Sequence, residues 1–353
     1  MSGAGPDWAQ HALGLVLARA RATAEEVGQR FPLYADPETG RWTTTARGSW
    51  TGGHWAGLQW LAVRHSGSPA DLAAARACTG RLADRVGADT ATRGMILWYG
   101  TALADSTADE LRDRAARACL DAFDAGLGVV PWGGAFGGPR LVARADGAPG
   151  LVPLLAHVGE AGRAAAYAHL GRHLVLCLAE SPPRPAWEAV PGGGWRPLDE
   201  PPPGWSRTAA WLLLAVADGL SLPGAVEPAE LRSAARTLAA LRLADGAPPV
   251  PRAEGRKGPP DTSAAAIEAV AALKLAELAR TDGDGRAARQ LTARAELVLH
   301  LLCTRRLSPA GGLLDGCYDA GRGLAVRHEL VWGDFFLALG LAVLTGLVTP
   351  FAA

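Results

Sequence analysis

One pattern fills most of this 353-residue chain: Ala- and Leu-rich stretches with apolar residues at helical spacing, cut by Gly- and Pro-rich loops. It predicts helices over 7–28, 53–66, 69–86, 93–105, 108–124, 149–158, 160–179, 206–219, 226–243, 262–280, 284–304 and 331–346. Strand-like pieces are short, around Val129-Val130 and Leu141-Val142. Paired helices without a domain-scale linker predict an all-α chain forming one domain over residues 1–353. A toroid suits such pairs, with one helix of each inside, one outside, and the loops of one end gathered into a funnel. A right-handed solenoid of helical hairpins is the alternative, although no fixed sequence period supports it.

Composition narrows the function classes. Thirty-five Lys and Arg balance 35 Asp and Glu, and the sequence pI is about 7.1. No global field would draw the chain to nucleic acid or an anionic membrane. The five cysteines (Cys78, Cys119, Cys177, Cys303, Cys317) are scattered, with no CxxC or Cys/His ligand spacing. They suggest neither a disulfide framework nor a zinc site, and no metal or other cofactor is implied. The start, Met1 to Asp7, lacks a basic segment leading into an apolar run, and the apolar stretch near Leu341 is broken by Gly340 and Gly346. The expectation is a cytoplasmic protein acting on a small molecule. Its oligomeric state is not legible.

Two irregular stretches, 181–205 and 244–260, interrupt the helical rhythm. The first carries Trp187, Trp195 and Trp205, which favours an ordered cover over a floppy linker. Asp261-Thr262-Ser263 reads as the cap of the helix that follows. Thr107-Ala108-Asp109-Glu110 reads as a capping box.

The aromatic-rich segment Trp50-Thr51-Gly52-Gly53-His54-Trp55-Ala56-Gly57-Leu58-Gln59-Trp60 stands at a helix entrance. Indole faces at a loop–helix mouth can stack on the apolar face of a sugar ring, and the Gly pair would let backbone approach a ligand. The same residues could equally form a wedge packing two helices.

Taken in order, the motifs resemble those of the unsaturated glucuronyl hydrolases of glycoside hydrolase family 88. They are Trp50–Trp60, Trp132-Gly133, the Asp146 loop, Trp205-Ser206-Arg207 with Trp211, Asp261-Thr262-Ser263-Ala264-Ala265-Ala266-Ile267, Gly316-Cys317-Tyr318, and Glu329-Leu330-Val331-Trp332-Gly333-Asp334. The resemblance spans roughly residues 40–347 and implies an (α/α)6 barrel. It also implies hydration of the C4=C5 enol-ether bond in a 4,5-unsaturated uronic acid, with collapse of the hemiketal releasing the sugar. Asp146 would be the general acid and base. Simple N-capping of the next helix is the structural alternative for it. Trp50, Trp55, Trp132, Arg207 and Trp211 would bind substrate, the last two sharing one helix face through their i,i+4 spacing.

Departures from the family are equally informative. Where its members carry His-Asp before an apolar residue and Gly, this chain reads Ala91-Thr92-Arg93-Gly94-Met95, so Thr92 stands at the second carboxylate's position. Asp89 could replace that carboxylate only through a rearranged loop. The family's His-Gln-Gly is absent, its place taken by Trp195-Arg196-Pro197-Leu198-Asp199. Arg93 and Arg196 would make the mouth more cationic and suited to an anionic ligand. His54 could enter the funnel, although it and His328 could equally be structural histidines. Asp261 and Asp334 read as structural, and the Gly-rich 133–138 segment lacks the features of a phosphate loop. These residues leave three readings: an unsaturated uronyl hydrolase; a diverged barrel enzyme such as a lyase, isomerase or cyclase of a biosynthetic pathway; or a noncatalytic sugar-binding protein.

Overall fold

A computed structural model describes residues 5–222, 229–255 and 257–353. In chain order the first half runs α1 (Asp7–Val27), β1 (Phe31–Ala35), β2 (Trp42–Thr45), α2 (Gly52–Ser66), α3 (Pro69–Gly80), a 3-10 turn (Ala83–Arg85), a π-helical turn (Gly94–Trp98) continuing into α4 (Tyr99–Thr101), α5 (Asp109–Asp121), β3 (Val142–Arg144), a 3-10 turn (Ala145–Gly147), α6 (Leu151–Ala156) and α7 (Glu160–Cys177). The second half runs β4 (Ala186–Ala189), β5 (Trp195–Pro197), α8 (Ser206–Ser221), α9 (Ala229–Arg242), β6 (Arg252–Glu254), β7 (Lys257–Pro260), α10 (Thr262–Thr281), α11 (Gly285–Arg305), β8 (Gly316–Asp319), β9 (Leu324–Leu330) and α12 (Val331–Leu344). Every stretch expected to be helical contains helix. The opening residues 226–228 of one such stretch, and residues 1–4 of the N-terminal reading, lie outside the described residues.

The helices close into a six-hairpin α/α toroid. Its inner ring passes from α2 to Gly94–Thr101, α6, α8, α10 and α12, and α12 packs back on α2. Burial separates the two layers. Ser206–Gly219 of α8, Thr262–Ala276 of α10 and Val331–Ala342 of α12 are buried on every face, as inner helices must be. In the outer helices only a stripe is buried, for example Leu111, Ala115, Ala116 and Cys119 in α5. Among the described residues no helix is long and apolar enough to cross a membrane.

Glycine tightens the inner ring. A Cβ on Gly53 would lie 2.2 Å from the Met95 carbonyl oxygen, and one on Gly94 would lie 2.2 Å from the Leu151 nitrogen. Of the Gly52-Gly53 pair, expected to admit a ligand to the backbone, Gly53 instead admits the neighbouring inner helix and Gly52 faces Leu82 and Phe31. Such close helix contact leaves no room for a side chain at Gly53.

Among the described residues are nine short strands, in sheets ordered β2-β1-β9-β8, β3-β4-β5 and β6-β7. β1 pairs antiparallel with β9 through Tyr34↔Leu330 and Ala35↔Glu329, joining the two ends of the chain. The irregular stretches 181–205 and 244–260 contain the β4–β5 and β6–β7 hairpins.

Two caps differ from expectation. Asp105, two residues before the expected Thr107 cap, accepts the Thr107 N–H at 3.2 Å. Asp261 does occupy the N-cap position of α10, but makes no capping bond there. Its carboxylate accepts instead from Ser206 Oγ at 2.6 Å, Ser263 Oγ at 2.6 Å and the Arg207 guanidinium at 2.8 Å.

Candidate active site

β3 delivers Arg144 and the following 3-10 turn delivers Asp146. The Arg144 guanidinium grips both Asp146 oxygens, Nε to Oδ1 and Nη2 to Oδ2, each at 2.8 Å. Its carbon lies 4.3 Å from the centroid of the Trp132 ring, a cation–π stack. Trp132 is fixed by its own backbone, donating its N–H to Val142 O at 2.9 Å and accepting the Ala91 N–H at 3.2 Å. Asp146 is not a helix cap, since α6 begins beyond Gly150, whose φ is +67°. The side chains of Arg144 and Asp146 are 25% and 16% exposed, so the pair borders solvent without lying open to it.

Two imidazoles back this turn. His169 Nδ1 accepts the Val130 N–H at 3.1 Å, which leaves Nε2 to donate to Gly147 O at 3.2 Å. His173 directs Nδ1 at His169 O, 2.7 Å away. Burial holds both neutral, pushing His173 down to about 4, with Asp146 among the groups that oppose the fall. They brace the Asp146 turn and are themselves hidden from solvent.

Aromatic side chains form the facing wall. Trp50 Nε1–H donates to the Tyr318 hydroxyl at 2.9 Å, and the Trp50 ring lies 4.7 Å from Trp332. Tyr34 meets Tyr318 at 6.1 Å and His328 at 5.6 Å, edge to face. Burial raises the Tyr318 phenol, with the Trp50 hydrogen bond and Arg207 opposing and the charges of Tyr34 and Asp146 adding to the rise. Asp146 is thus close enough to Tyr318 for its charge to act on the phenol.

The expected ligand contacts divide into two groups. Asp146 and Trp132 are joined through Arg144, and Trp50 belongs to the cluster around Tyr318. Arg207 is consumed by the scaffold: it donates to Asp261 Oδ2 at 2.8 Å, to Tyr318 O at 2.7 Å and to Cys317 O, and stacks 4.5 Å from Trp205. It thereby fixes β8, and Tyr318 with it. Trp211 is 1% exposed and packs on Phe336 inside the ring.

His54 is fully buried among Trp50, Tyr99, Trp211, Phe335 and Phe336, with neither ring nitrogen hydrogen-bonded. Burial drives its pKa down to about 3. It is packed inside the ring against Trp50, with no exposed surface. Trp55 packs outward, beside Arg19, Thr23 and Trp42, because helical spacing turns it away from the face that carries His54.

Neither expected mouth arginine is available there. Arg93 turns back to donate to the carbonyls of Thr90, Val86 and Ala118, at 3.2, 3.1 and 3.0 Å. Arg196 sits on the exposed face of β5, paired with Glu188 across the hairpin. Thr92 Oγ1 is buried 3.0 Å from Thr90 Oγ1. Asp89 accepts from Gly134 N at 2.9 Å and Arg140 at 2.8 Å, holding the Gly-rich loop instead of replacing the missing carboxylate. Gly133, at φ +79°, is needed for that wrap, since a Cβ there would lie 2.1 Å from Asp89 O.

The reading of sequence missed Arg144, which carries no motif. It quoted Tyr318 within a motif without assigning it to the mouth; its place after a Gly-Cys pair at a strand end was the available signal. Among the described residues, no group of three His, Cys, Asp or Glu side chains could hold a metal ion.

No protein-family model and no curated protein sequence matches this chain. Solved structures do. Unsaturated glucuronyl hydrolase from Bacillus sp. GL1, described as responsible for the degradation of glycosaminoglycan, superposes with a TM-score of 0.82 at 20% identity, over 96% of each chain. An unsaturated glucuronyl hydrolase specific for heparin gives 0.80 at 18% identity, again over 96% of each chain. The unsaturated glucuronyl hydrolase of Streptococcus agalactiae gives 0.77 at 17% identity, over 95% of this chain and 91% of its own. The chain shares the six-hairpin α/α toroid of these unsaturated glucuronyl hydrolases at 17–20% sequence identity.

Proposed function

We propose that the protein is a glycoside hydrolase of the unsaturated uronyl type, with Asp146 as general acid and base. The observation carrying this reading is the Asp146 carboxylate, held by an arginine that stacks on Trp132 and close enough to Tyr318 for its charge to act on that phenol. An unsaturated uronyl ring offers the complementary features: a flat apolar face, a carboxylate for Arg144 and a polarised double bond. Asp146 would deliver a proton to C4, a water oxygen would add to C5 as its proton passes to the carboxylate, and the hemiketal would open to release the next sugar.

Arg144 complicates the first step. With both oxygens accepting from the guanidinium, Asp146 cannot donate a proton until the pair opens. The substrate carboxylate is a fitting competitor for Arg144, and its arrival would free Asp146. Thr92, where the family has its second carboxylate, favours a second reading: a diverged barrel catalyst or a sugar-binding protein that keeps the aromatic mouth. Loss of the enol-ether absorbance of an unsaturated uronyl disaccharide separates the two. Wild type should bleach it and Asp146→Asn should not; tight binding with the double bond intact in wild type would favour the second reading.

A further inference from the structure

Trp132 and Arg144 stand on the two legs of one hairpin, and Asp89 ties those legs together. The outgoing leg leaves Trp132, and the return leg enters β3, which carries Arg144. Trp132 N–H donates to Val142 O at 2.9 Å and Gly133 N–H to Arg140 O at 3.0 Å, so the legs run side by side. The tip between them, residues 134–139, is exposed. A single oxygen of Asp89, Oδ2, accepts the Gly134 N–H at 2.9 Å and lies 2.8 Å from Arg140 Nη2 on the opposite leg. The Asp89 carbonyl accepts the Ala135 N–H at 3.0 Å, and two residues on Ala91 N–H donates to Trp132 O at 3.2 Å. Gly134 is two residues from Trp132 and Arg140 four from Arg144, so the tie acts on both through short stretches of backbone. The Asp89 side chain is 54% exposed, so its removal should cost the fold little. What it sets is geometry: the Arg144 guanidinium must lie on the Trp132 ring and reach both Asp146 oxygens at once.

We propose that Asp89 is a positioning residue of the candidate site: by tying the hairpin legs it keeps Trp132 stacked on Arg144 and Arg144 in line with Asp146. Asp89 lies three residues before Thr92, yet its part differs from that of a second carboxylate. It moves no proton and touches the reacting carboxylate only through the hairpin. Its effect on turnover rests on Asp146 being the reacting group; its effect on the Trp132 stack does not.

Two substitutions separate positioning from chemistry. Both side-chain contacts end on one oxygen, which an asparagine can supply, so Asp89→Asn keeps the tie and removes the charge, whereas Asp89→Ala removes both. Fluorine NMR of fluorotryptophan-labelled protein reads the stack with no ligand present, the Trp132 and Trp50 signals being assigned from Trp132→Phe and Trp50→Phe. Asp89→Ala should shift or broaden the Trp132 signal and leave Trp50 in place; Asp89→Asn should leave both at their wild-type positions. Arg140→Gln, an exposed change at the other end of the tie, should move Trp132 in the same way and serves if Asp89→Ala does not fold. A Trp132 signal unmoved by Asp89→Ala and Arg140→Gln overturns the proposal. Turnover of an unsaturated uronyl disaccharide supplies the second readout. Asp89→Ala should lower kcat/KM by about tenfold, the scale of a slightly misplaced group, with Asp89→Asn close to wild type. Equal loss in both variants would make Asp89 itself a reacting carboxylate and overturn the positioning role. If the wild type turns over no such disaccharide, the uronyl reading falls, and the Trp132 signal alone decides for or against the tie.

Discussion

Arg144 and Asp146, two residues apart, form a closed bidentate pair whose guanidinium also stacks on Trp132. One arginine thus sets the orientation of the candidate acid and of the neighbouring aromatic. Arg144→Gln should weaken the affinity for a carboxylated sugar by about tenfold, since an Arg–carboxylate contact of ~1.5–3 kcal/mol is lost. Isothermal titration with an unsaturated disaccharide reads this directly. Affinity unchanged by the substitution would remove Arg144 from substrate recognition.

Asp146→Asn separates chemistry from structure. The pair is partly exposed, so the fold should lose no more than ~1 kcal/mol. Turnover of an unsaturated uronyl substrate should fall by about 10²–10⁴, the range for removal of a general acid or base. Urea midpoints beside single-turnover rates distinguish the two effects. A large stability loss with activity retained would make Asp146 a scaffold residue.

How far the sequence speaks depends on where each interaction is made. Helix existence follows from local periodicity, and the motif order pointed to the toroid that the inner ring forms. Strand pairing such as Tyr34 with Leu330 joins opposite ends of the chain, and strands of three to seven residues leave little alternation to read. Side-chain destinations were less legible still. Arg207 matches a ligand-binding pattern, yet Asp261 and two carbonyls from β8 occupy it. Arg144 belongs to no pattern and becomes visible only when β3 aligns it with both Asp146 and Trp132. A guanidinium's partner is a tertiary fact, and residue type records only that it needs one.

The Arg207–Asp261 pair predicts a stability effect where the family pattern predicts a binding one. Both side chains are almost wholly buried. Removing one leaves an uncompensated charge, which typically costs ~3–5 kcal/mol. Arg207→Ala should lower the urea midpoint accordingly, whereas exposed Arg196→Ala should change stability by no more than ~0.5 kcal/mol. Equal midpoints for the two variants would contradict the buried clamp.

Buried histidines should make the fold sensitive to acid. His54 has a folded pKa of about 3 against an ordinary value of 6.5, so the unfolded chain binds the extra proton between those values. Its contribution is present above about pH 6.5 and is lost as pH falls toward 3, at a limiting slope of about 1.4 kcal/mol per unit. His173 acts in the same direction down to about 4. His54→Phe removes two unsatisfied nitrogens from an aromatic cage and should leave stability at pH 7 unchanged or improved. It should also narrow the stability gap between pH 7 and pH 5, read from urea midpoints at each. An undiminished gap would assign the acid sensitivity to His169 and His173.

Asp334 should show the opposite pH dependence. It is buried beside Glu329, which Arg19 holds through contacts of 2.9 and 2.8 Å, and burial together with the Glu329 charge raises the Asp334 pKa well above its usual value. A carboxyl raised in the folded state contributes stability that is full below its unfolded pKa and lost as pH rises through the folded one. Leu313 N–H donates to Asp334 Oδ1 at 2.8 Å, a bond that an asparagine oxygen can also accept. Asp334→Asn therefore keeps the tie between α12 and the loop before β8 while removing the ionisation. The variant should match or exceed wild-type stability near neutral pH, and its advantage should grow toward the alkaline side. Thermal unfolding from pH 5 to pH 9 tests this. If the wild type is the more stable across that range, the ionised carboxylate supports the ring closure and the shared environment of Asp334, Glu329 and Arg19 works as a charge network.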